Sequence, residues 1–152
     1  MANDNAKKRI VFGCDHAGYE IREDIIAFLR DRGYDVVDCG SSGPGSVDYP
    51  VIADTVCKAV QSDPSALAVL ICGTGIGMSI AANKHTGIRA AVCWNEECAS
   101  LARRHNNANV ICLGARMLTT DKIKEIIDAF LNASFEGGRH QKRVDMLDGS
   151  RD

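Results

Sequence analysis

The sequence predicts a three-layer α/β fold of the Rossmann-like class, with a five-stranded parallel sheet and a C-terminal helical extension. Two patterns carry this prediction: five short apolar runs, and a segment of helical period after each of them. The runs lack strict alternation of apolar and polar residues, so the strands are expected to be buried on both faces. This β-α order is typical of a parallel sheet covered by helices on both sides and joined by right-handed crossovers.

The elements can be placed in order along the chain. The predicted strands are RIVFGCD (9–15), YDVVDCG (34–40), ALAVLIC (66–72), GIRAAVCW (87–94) and ANVICLGA (108–115). The first predicted helix ends at Gly33, a residue type favoured just past a helix C-terminus. Pro50 suits the first turn of the second helix, and Asn95 can cap the fourth. The third helix is expected from about 76 to 84 and the fifth from about 120 to 131.

The length of the chain and its two ends predict a single domain. The 152 residues suffice for one well-packed core and are too few for two comfortable ones. We therefore interpret residues 1–152 as one domain, with a polar N-terminal extension at 1–8. From about 133 to 152, a Gly-Gly break and a basic stretch predict a short separate helix rather than a sixth β-α unit.

The composition argues against several classes of function. A net charge of -2 gives no electrostatic reason to expect nucleic acid or an anionic membrane as a partner. No run of about 18 consecutive apolar residues is present, so no membrane span is predicted. The polar start MANDNAKKR does not resemble a signal peptide. Seven cysteines, an odd number without an export signal, indicate reduced thiols in a cytoplasmic protein.

The stretch CGTGIGMSIAANK, after the third predicted strand, is the most informative motif. It does not match the dinucleotide fingerprint, whose third glycine would fall at Met78, and no phosphate-binding loop is present. Gly73, Gly75 and Gly77 instead let backbone N–H groups converge at a helix N-terminus, which suits an anionic ligand or transition state. This environment favours the thiolate of Cys72, a candidate base or nucleophile. The alternative is that Cys72 ends a buried strand and the glycines form a tight turn.

Polar residues at the carboxyl ends of the strands predict a pocket, because ligands of open parallel sheets bind at that edge. The candidates are Asp15, His16, Asp48, Tyr49, Cys72 and Arg116. We assign His105 to the same end, where its coincidence with His16 and Cys72 favours an active site over a helix-end role. Arg139 and Arg143 would share a helix face and suit a phosphate dianion, and a solvated tail is the alternative.

Seven motifs occur in order between about Arg9 and Val144. They are FGCDHAG, DYP, CGTGIGMSIAANK, GIRA, HNNANV, LGAR and EGGRHQKRV. Together they resemble the type B ribose-5-phosphate isomerases, a family that also contains the galactose-6-phosphate isomerase subunits. Another branch of this family lacks the cysteine and carries a glutamate base at the position of Met78, so this chain resembles the cysteine branch.

The resemblance implies interconversion of D-ribose 5-phosphate and D-ribulose 5-phosphate, in the non-oxidative pentose phosphate pathway, through an enediolate and without a metal or organic cofactor. Cys72 would be the base, His105 would assist ring opening, and Asp15 would contact the sugar hydroxyls. The other implied roles are sugar binding by Thr74 and Tyr49, enediolate stabilisation by the turn of Gly73, Gly75, Ile76 and Gly77, orientation of the open chain by Asn106, and phosphate binding by His16, Arg116, Arg139 and Arg143.

The resemblance also implies that active sites are shared between subunits. In this family the His105 equivalent and some of the arginines come from the neighbouring subunit. We therefore expect a homodimer, or a dimer of dimers, with the C-terminal extension packing on the neighbour.

Three alternatives stay open. The first is an isomerase of a six-carbon sugar phosphate, such as allose or galactose 6-phosphate, with the same chemistry in a deeper pocket. The second is a non-catalytic module that binds a phosphorylated metabolite. The third is a thiol redox protein in which Cys14 resolves an oxidised Cys72.

Overall fold

The structure, a computed structural model, describes residues 7–40 and 45–149. Within these ranges it contains β1 (Arg9–Cys14), α1 (Tyr19–Asp31), β2 (Asp35–Asp38), α2 (Tyr49–Ser62), β3 (Leu67–Cys72), α3 (Ile76–Ala82), β4 (Ala90–Val92), α4 (Glu96–Asn106), β5 (Val110–Gly114), α5 (Thr120–Leu131) and α6 (Arg139–Leu147). None of these helices combines the length and the apolar character needed to cross a bilayer. Most of the predicted N-terminal extension, and part of the loop before α2, lie outside the described residues.

The strands form one parallel sheet in the order β2-β1-β3-β5-β4, which confirms the predicted five-stranded architecture. All six residues of the central strand β3 are buried, as its lack of alternation predicted. The strand order reverses between β1 and β3, and the crevice at such a reversal is where open α/β sheets bind ligands. The residues that follow β1 and β3 therefore sit at the mouth of this crevice.

Helices cover both faces of the sheet and complete three layers. On one face α1 and α5 bury Leu29 and Phe130, which are fully inaccessible to solvent. On the other face α2 and α3 bury Val56 and Met78 equally completely. The predicted cap of α4 is confirmed, since the side chain of Asn95 accepts a 2.8 Å hydrogen bond from the N–H of Cys98.

Strand β4 is shorter than the sequence predicted. The apolar run spans 87–94, but only Ala90–Val92 is a strand. The side chain of Asn83 bonds both the N–H and the carbonyl of Ala90, at 2.8 and 2.9 Å. The side-chain oxygen of Asn109 accepts a 2.7 Å hydrogen bond from the N–H of Arg89. Side-chain amides therefore satisfy the backbone groups at the start of this edge strand in place of a longer ladder.

The C-terminal segment forms a separate helix, as predicted, and part of it packs on its own chain. Helix α6 contacts α4 and buries Val144, which is 3% exposed. Arg89 donates to the carboxylate of Asp148 at 3.0 Å, which ties the end of α6 to the start of β4. Helix α6 is thus packed on the chain through Val144, while Arg139 and Arg143 themselves are exposed, so the alternative of solvated arginines stays open.

Candidate active site

The thiol of Cys72 lies at the end of the central strand. Cys72 is 4% exposed and is paired in register with Gly114 of β5. The chain then turns sharply, and the N–H of Gly75 donates a 3.1 Å hydrogen bond to Cys72 Sγ. An N–H donor stabilises a thiolate more than a thiol, because hydrogen bonds to ionised acceptors are the stronger ones. The sulfur is thus held by the backbone of the turn that follows it.

Glycines let this turn pack tightly against the end of β5. Gly75 has φ of +82°, and a Cβ there would lie 3.0 Å from backbone atoms of Leu113. On the opposing strand, a Cβ at Gly114 would lie 2.8 Å from the backbone of Thr74. Both the left-handed conformation and the backbone contact exclude a side chain at Gly75. The glycines therefore do form a tight turn, as the alternative interpretation predicted. The turn nevertheless leaves the thiol of Cys72 at the mouth of the crevice.

Three side chains surround the turn. The guanidinium of Arg116 packs over Gly73, and its backbone N–H bonds the carbonyl of Gly73 at 3.0 Å. The ring of Tyr49 covers Gly77, where an added Cβ would lie 2.6 Å from the ring. Thr74 is exposed, and its hydroxyl accepts the N–H of Ile76 at 3.2 Å. The predicted residues around Cys72 are thus brought together by one chain.

Asp15 and His16 follow β1 at the same edge. Asp15 is 5% exposed, and its carboxylate accepts the N–H of Ala17 at 2.9 Å as the cap of the 3₁₀ turn His16–Gly18. His16 Nδ1 accepts the N–H of Val47 at 3.3 Å. Because Nδ1 is the acceptor, a neutral His16 carries its proton on Nε2. We call Cys72, Asp15, His16, Tyr49, Arg116 and the turn of residues 73–77 the carboxyl-edge group.

His105 lies at the other edge of the sheet, so the prediction that places it at the pocket end is wrong for a single chain. Helix α4 ends just before β5 begins, and the carbonyl of Asn109 accepts the N–H of Ala68 at the start of β3. The five residues of β5 separate this edge from the carboxyl edge by roughly 13 Å. The physical reason is direction: a helix between two parallel strands returns the chain to the amino edge.

A second set of predicted residues collects around His105. Asn106, Arg139 and Arg143 line an open pocket together with His105, and the two arginines share one face of α6 as predicted. We call these four residues the amino-edge group. Two guanidiniums that face one pocket suit a phosphate dianion.

Two residues that sequence reasoning missed complete the surroundings of His105. The rings of His105 and His140 stack with centroids 4.2 Å apart and planes 12° from parallel. Glu136 Oε1 lies 3.7 Å from His105 Nε2, and Glu136 Oε2 accepts from Arg104 Nε at 2.7 Å. The Arg104 guanidinium holds the pKa of the Glu136 carboxyl below its usual range. The signal in the sequence was the EGGRH motif, of which only the arginine had been assigned a role.

These residues are also the one metal-like cluster in the described part of the chain. Ligand atoms of His105, Glu136 and His140 lie within 4.8 Å of one another. The stacked rings direct their lone pairs along nearly parallel planes rather than toward one point, and Arg104 already occupies the carboxylate. The arginines of the amino-edge group add positive charge nearby. The arrangement favours an anion over a cation.

Other cysteines behave as buried apolar residues. Burial raises the pKa of the Cys57 thiol to about 12, and it raises the pKa values of Cys93 and Cys112 well above the usual range. All three thiols stay protonated at neutral pH and pack as small apolar groups in the core.

Comparisons with known proteins identify the family. A family model described as Ribose/Galactose Isomerase matches residues 10–147. The chain belongs to the ribose/galactose isomerase family. This confirms the family named from the seven motifs, and the match runs from the second residue of β1 to the last residue of α6.

Members of the ribose/galactose isomerase family resemble the chain over nearly its whole length. Ribose-5-phosphate isomerase B of Escherichia coli (strain K12) is 46% identical over 140 residues, which span 92% of this chain and 94% of that protein. Ribose-5-phosphate isomerase B of Mycobacterium leprae is 42% identical over 141 residues, 91% of this chain and 87% of that protein. The solved structure of the Clostridium thermocellum enzyme of this name has a TM-score of 0.90 at 47% identity, with coverage of 92% and 95%.

Proposed function

We propose that this chain is an aldose-ketose isomerase that interconverts D-ribose 5-phosphate and D-ribulose 5-phosphate, with the thiolate of Cys72 as the base. The observation that carries the proposal is the 3.1 Å hydrogen bond from the N–H of Gly75 to Cys72 Sγ. It holds an ionisable sulfur at the mouth of the β1–β3 crevice. The names of the relatives from Escherichia coli and Clostridium thermocellum support the choice of substrate.

The first chemical step opens the sugar. Ribose 5-phosphate is mainly a closed furanose, so the bond between C1 and the ring oxygen must break before isomerisation. The hydroxyl on C1 loses a proton and becomes the aldehyde, while the ring oxygen gains a proton. We assign this acid-base step to His105, because imidazole gives and takes protons near neutral pH. Asp15 is assigned to the sugar hydroxyls.

The second step moves a proton between neighbouring carbons. The thiolate takes the proton from C2, the C–H electrons form the C1–C2 double bond, and the aldehyde oxygen gains the negative charge. A proton then passes from O2 to O1, and the thiol returns its proton to C1, which leaves the ketone at C2. Backbone N–H groups of the 73–77 turn and the Thr74 hydroxyl would stabilise the enediolate. The loss of one such donor typically costs about 3 kcal/mol of transition-state stabilisation.

Substrate binding in this proposal draws on both edges of the sheet. Tyr49 and Thr74 would bond the sugar oxygens, while His16 and Arg116 would hold the phosphate from the carboxyl edge. Because the amino-edge group lies far from Cys72 in one chain, a second subunit would supply His105, Asn106, Arg139 and Arg143. We therefore propose a homodimer, or a dimer of dimers, in which the exposed side chains of α6 face the neighbour. Both steps are proton transfers, so the proposal needs no metal or organic cofactor.

The test is the turnover of ribose 5-phosphate to ribulose 5-phosphate, with a chelator present and no cofactor added. Wild type is compared with Cys72→Ala and with Cys98→Ala, a half-buried thiol on α4 that serves as a matched control. We expect wild type and Cys98→Ala to be active and Cys72→Ala to lose at least a hundredfold in turnover. Retained binding of the sugar phosphate by Cys72→Ala would show that only the base is gone.

Other results lead to the alternative functions. Near-normal turnover by Cys72→Ala would contradict the assignment of the base. A wild type that ignores ribose 5-phosphate but converts allose or galactose 6-phosphate keeps the chemistry and changes the substrate. This second candidate is favoured by the description of the family, which covers ribose and galactose. Binding without any isomerisation would indicate a non-catalytic module.

A further inference from the structure

The EGGRH motif folds back on itself so that both of its ends reach His105. Gly137 and Gly138 have φ of +65° and +54°, two consecutive positive φ angles that glycine adopts without strain. The N–H of His140 then bonds the carbonyl of Gly137 at 3.0 Å as α6 begins. The turn returns the chain, so the carboxylate of Glu136 and the ring of His140 both lie against one imidazole.

The stacked pair joins a buried ring to a more exposed one. The side chain of His140 is 10% exposed, whereas that of His105 is 33% exposed. Burial and, next, the neighbouring His105 lower the pKa of His140, so its imidazole stays neutral at physiological pH. A neutral ring can stack on His105 in either protonation state of His105 without repulsion between two cations. His140 is therefore a fixed surface against which His105 rests.

The carboxylate of Glu136 is anchored on its other side. Its Oε1 lies 3.7 Å from His105 Nε2 and 4.0 Å from His140 Nε2. Its Oε2 accepts from Arg104 Nε at 2.7 Å, and its backbone N–H bonds the carbonyl of Arg104 at 3.0 Å. Arg104 directly precedes His105 on α4. The end of α4 and the start of the EGGRH motif are thereby fastened together around the imidazole.

We propose that His140 and Glu136 are positioning residues that hold the imidazole of His105 in the orientation needed to open the sugar ring. The inference rests on the proposed function, in which His105 performs that step. A histidine at an exposed helix end can rotate freely, while acid-base catalysis requires a group within hydrogen-bond reach of the proton. The stack fixes the plane of the ring, and the carboxylate fixes the side on which Nε2 lies.

The chemistry of the two sugars separates ring opening from proton abstraction. Ribulose 5-phosphate cannot close to a furanose, because its C5 oxygen carries the phosphate. Exchange of its C1 proton with deuterium from D₂O therefore requires the base but no ring opening, and NMR follows it directly. Turnover that starts from ribose 5-phosphate requires both steps. Measured on the same full-length protein, the two rates assign a defect to one step or the other.

We expect His140→Ala to lose about tenfold in kcat on ribose 5-phosphate, since a positioned acid-base group contributes roughly 10²–10⁴-fold and only its orientation is impaired. KM and the rate of C1 exchange should stay near wild type. His140→Phe keeps an aromatic face and should recover most of the loss. Glu136→Gln should show the same pattern as His140→Ala with a smaller drop. Glu125→Gln, at an exposed carboxylate on α5 outside both groups, is the matched control and should change neither rate.

Each other outcome overturns the inference. Equal losses in both assays by His140→Ala would indicate a merely structural role, and unchanged kcat on ribose 5-phosphate would remove His140 from the step. A His140→Phe variant as slow as His140→Ala would rule out the stack as the cause. A wild type inactive in both assays would overturn the proposed function and the inference with it. An active wild type with uniform variant losses overturns the inference alone.

Discussion

The carboxyl-edge and amino-edge groups are built in opposite ways. Around Cys72 the site consists of backbone: a buried thiol, a turn that excludes side chains, and neighbours packed directly on glycines. Around His105 it consists of side chains on helix ends, held by a ring stack and by the ion pair of Glu136 with Arg104. Close packing of the backbone fixes the geometry of the carboxyl-edge group, whereas contacts between charged and aromatic side chains fix that of the amino-edge group. They should therefore fail under different perturbations.

The two groups also differ in whether a single chain brings them to the crevice. One chain brings together every predicted residue of the carboxyl-edge group, but it holds His105 at the opposite edge of the sheet. A shared site resolves this, because a second copy can present its amino-edge group to the first copy's crevice. The following predictions test whether the two groups depend on each other across subunits, and whether each fails in its own way.

The largest expected effect is recovery of activity by mixing two inactive variants. Cys72→Ala and His105→Ala should each lose at least a hundredfold in turnover, because each removes an acid-base group. In a mixed dimer with shared sites, one site receives both substitutions and the other receives none. Random exchange of subunits should then restore about a quarter of wild-type activity, since half of the dimers carry one intact site. Turnover is measured after joint unfolding and refolding of equal amounts.

The control for this experiment is each variant refolded alone, which should remain inactive. A mixture no more active than its components would mean that each chain completes its own site. The separation of Cys72 and His105 within one chain would then need another explanation.

The second largest effect is expected from Gly75→Ala, which tests the carboxyl-edge group. The substitution combines a strained φ of +82° with a 3.0 Å approach to the backbone of β5, where nothing can move aside. We expect a loss of about 1–3 kcal/mol in the free energy of unfolding from the backbone strain, and the displaced N–H should remove most of the turnover. Gly33→Ala is the matched control, because Gly33 has φ of +87° with nothing within 4 Å.

Urea unfolding and turnover together decide the result. Gly33→Ala should lose stability but keep its turnover when folded. If Gly75→Ala behaved in the same way, the contact with β5 and the hydrogen bond to Cys72 would have no part in catalysis.

A smaller effect is expected from Gly77→Ala. Its Cβ would lie 2.6 Å from the ring of Tyr49, a side chain 40% exposed that can rotate away at little cost in folding. We expect KM to rise several-fold as the tyrosine leaves the sugar site, with less than about 1 kcal/mol of change in stability. Steady-state kinetics measure this, and Tyr49→Phe shows how much of the rise belongs to the hydroxyl. An unchanged KM would remove Tyr49 from the sugar site.

The sequence predicted the carboxyl-edge group far better than the amino-edge group. An uninterrupted apolar run located β3, and the glycines located the turn, because both features are local. His105 was assigned to the wrong edge of a single chain. It lies at the C-terminal end of α4, and a helix that joins two parallel strands ends at the amino edge of the sheet. His140 and Glu136 were missed because their roles depend on a contact between α4 and a segment about 30 residues later. The start of β4 was missed because two asparagine side chains, rather than strand pairing, bond the backbone of Arg89 and Ala90.

The smallest expected effect concerns His85, which holds the far end of the helix that begins in the carboxyl-edge turn. His85 Nδ1 lies 3.1 Å from the carbonyl of Ala81, and Nε2 lies 2.9 Å from Asp54 Oδ1. Both ring nitrogens face acceptors, so the charged imidazolium satisfies both, and the bond to Asp54 raises the pKa of His85.

Because the folded pKa of His85 is raised, its stabilisation is fully present below the unfolded pKa of about 6.5 and is lost as pH rises through the folded value. The lowered pKa of His140 acts in the opposite direction, so the wild type alone is ambiguous. The informative quantity is the difference in unfolding free energy between wild type and His85→Gln, which should shrink from about pH 5.5 to about pH 8.5. A constant difference would show that packing rather than charge anchors α3. Charge would then stabilise only the amino-edge group, and packing alone would hold the helix that follows the carboxyl-edge turn. That result would sharpen the contrast between the two groups.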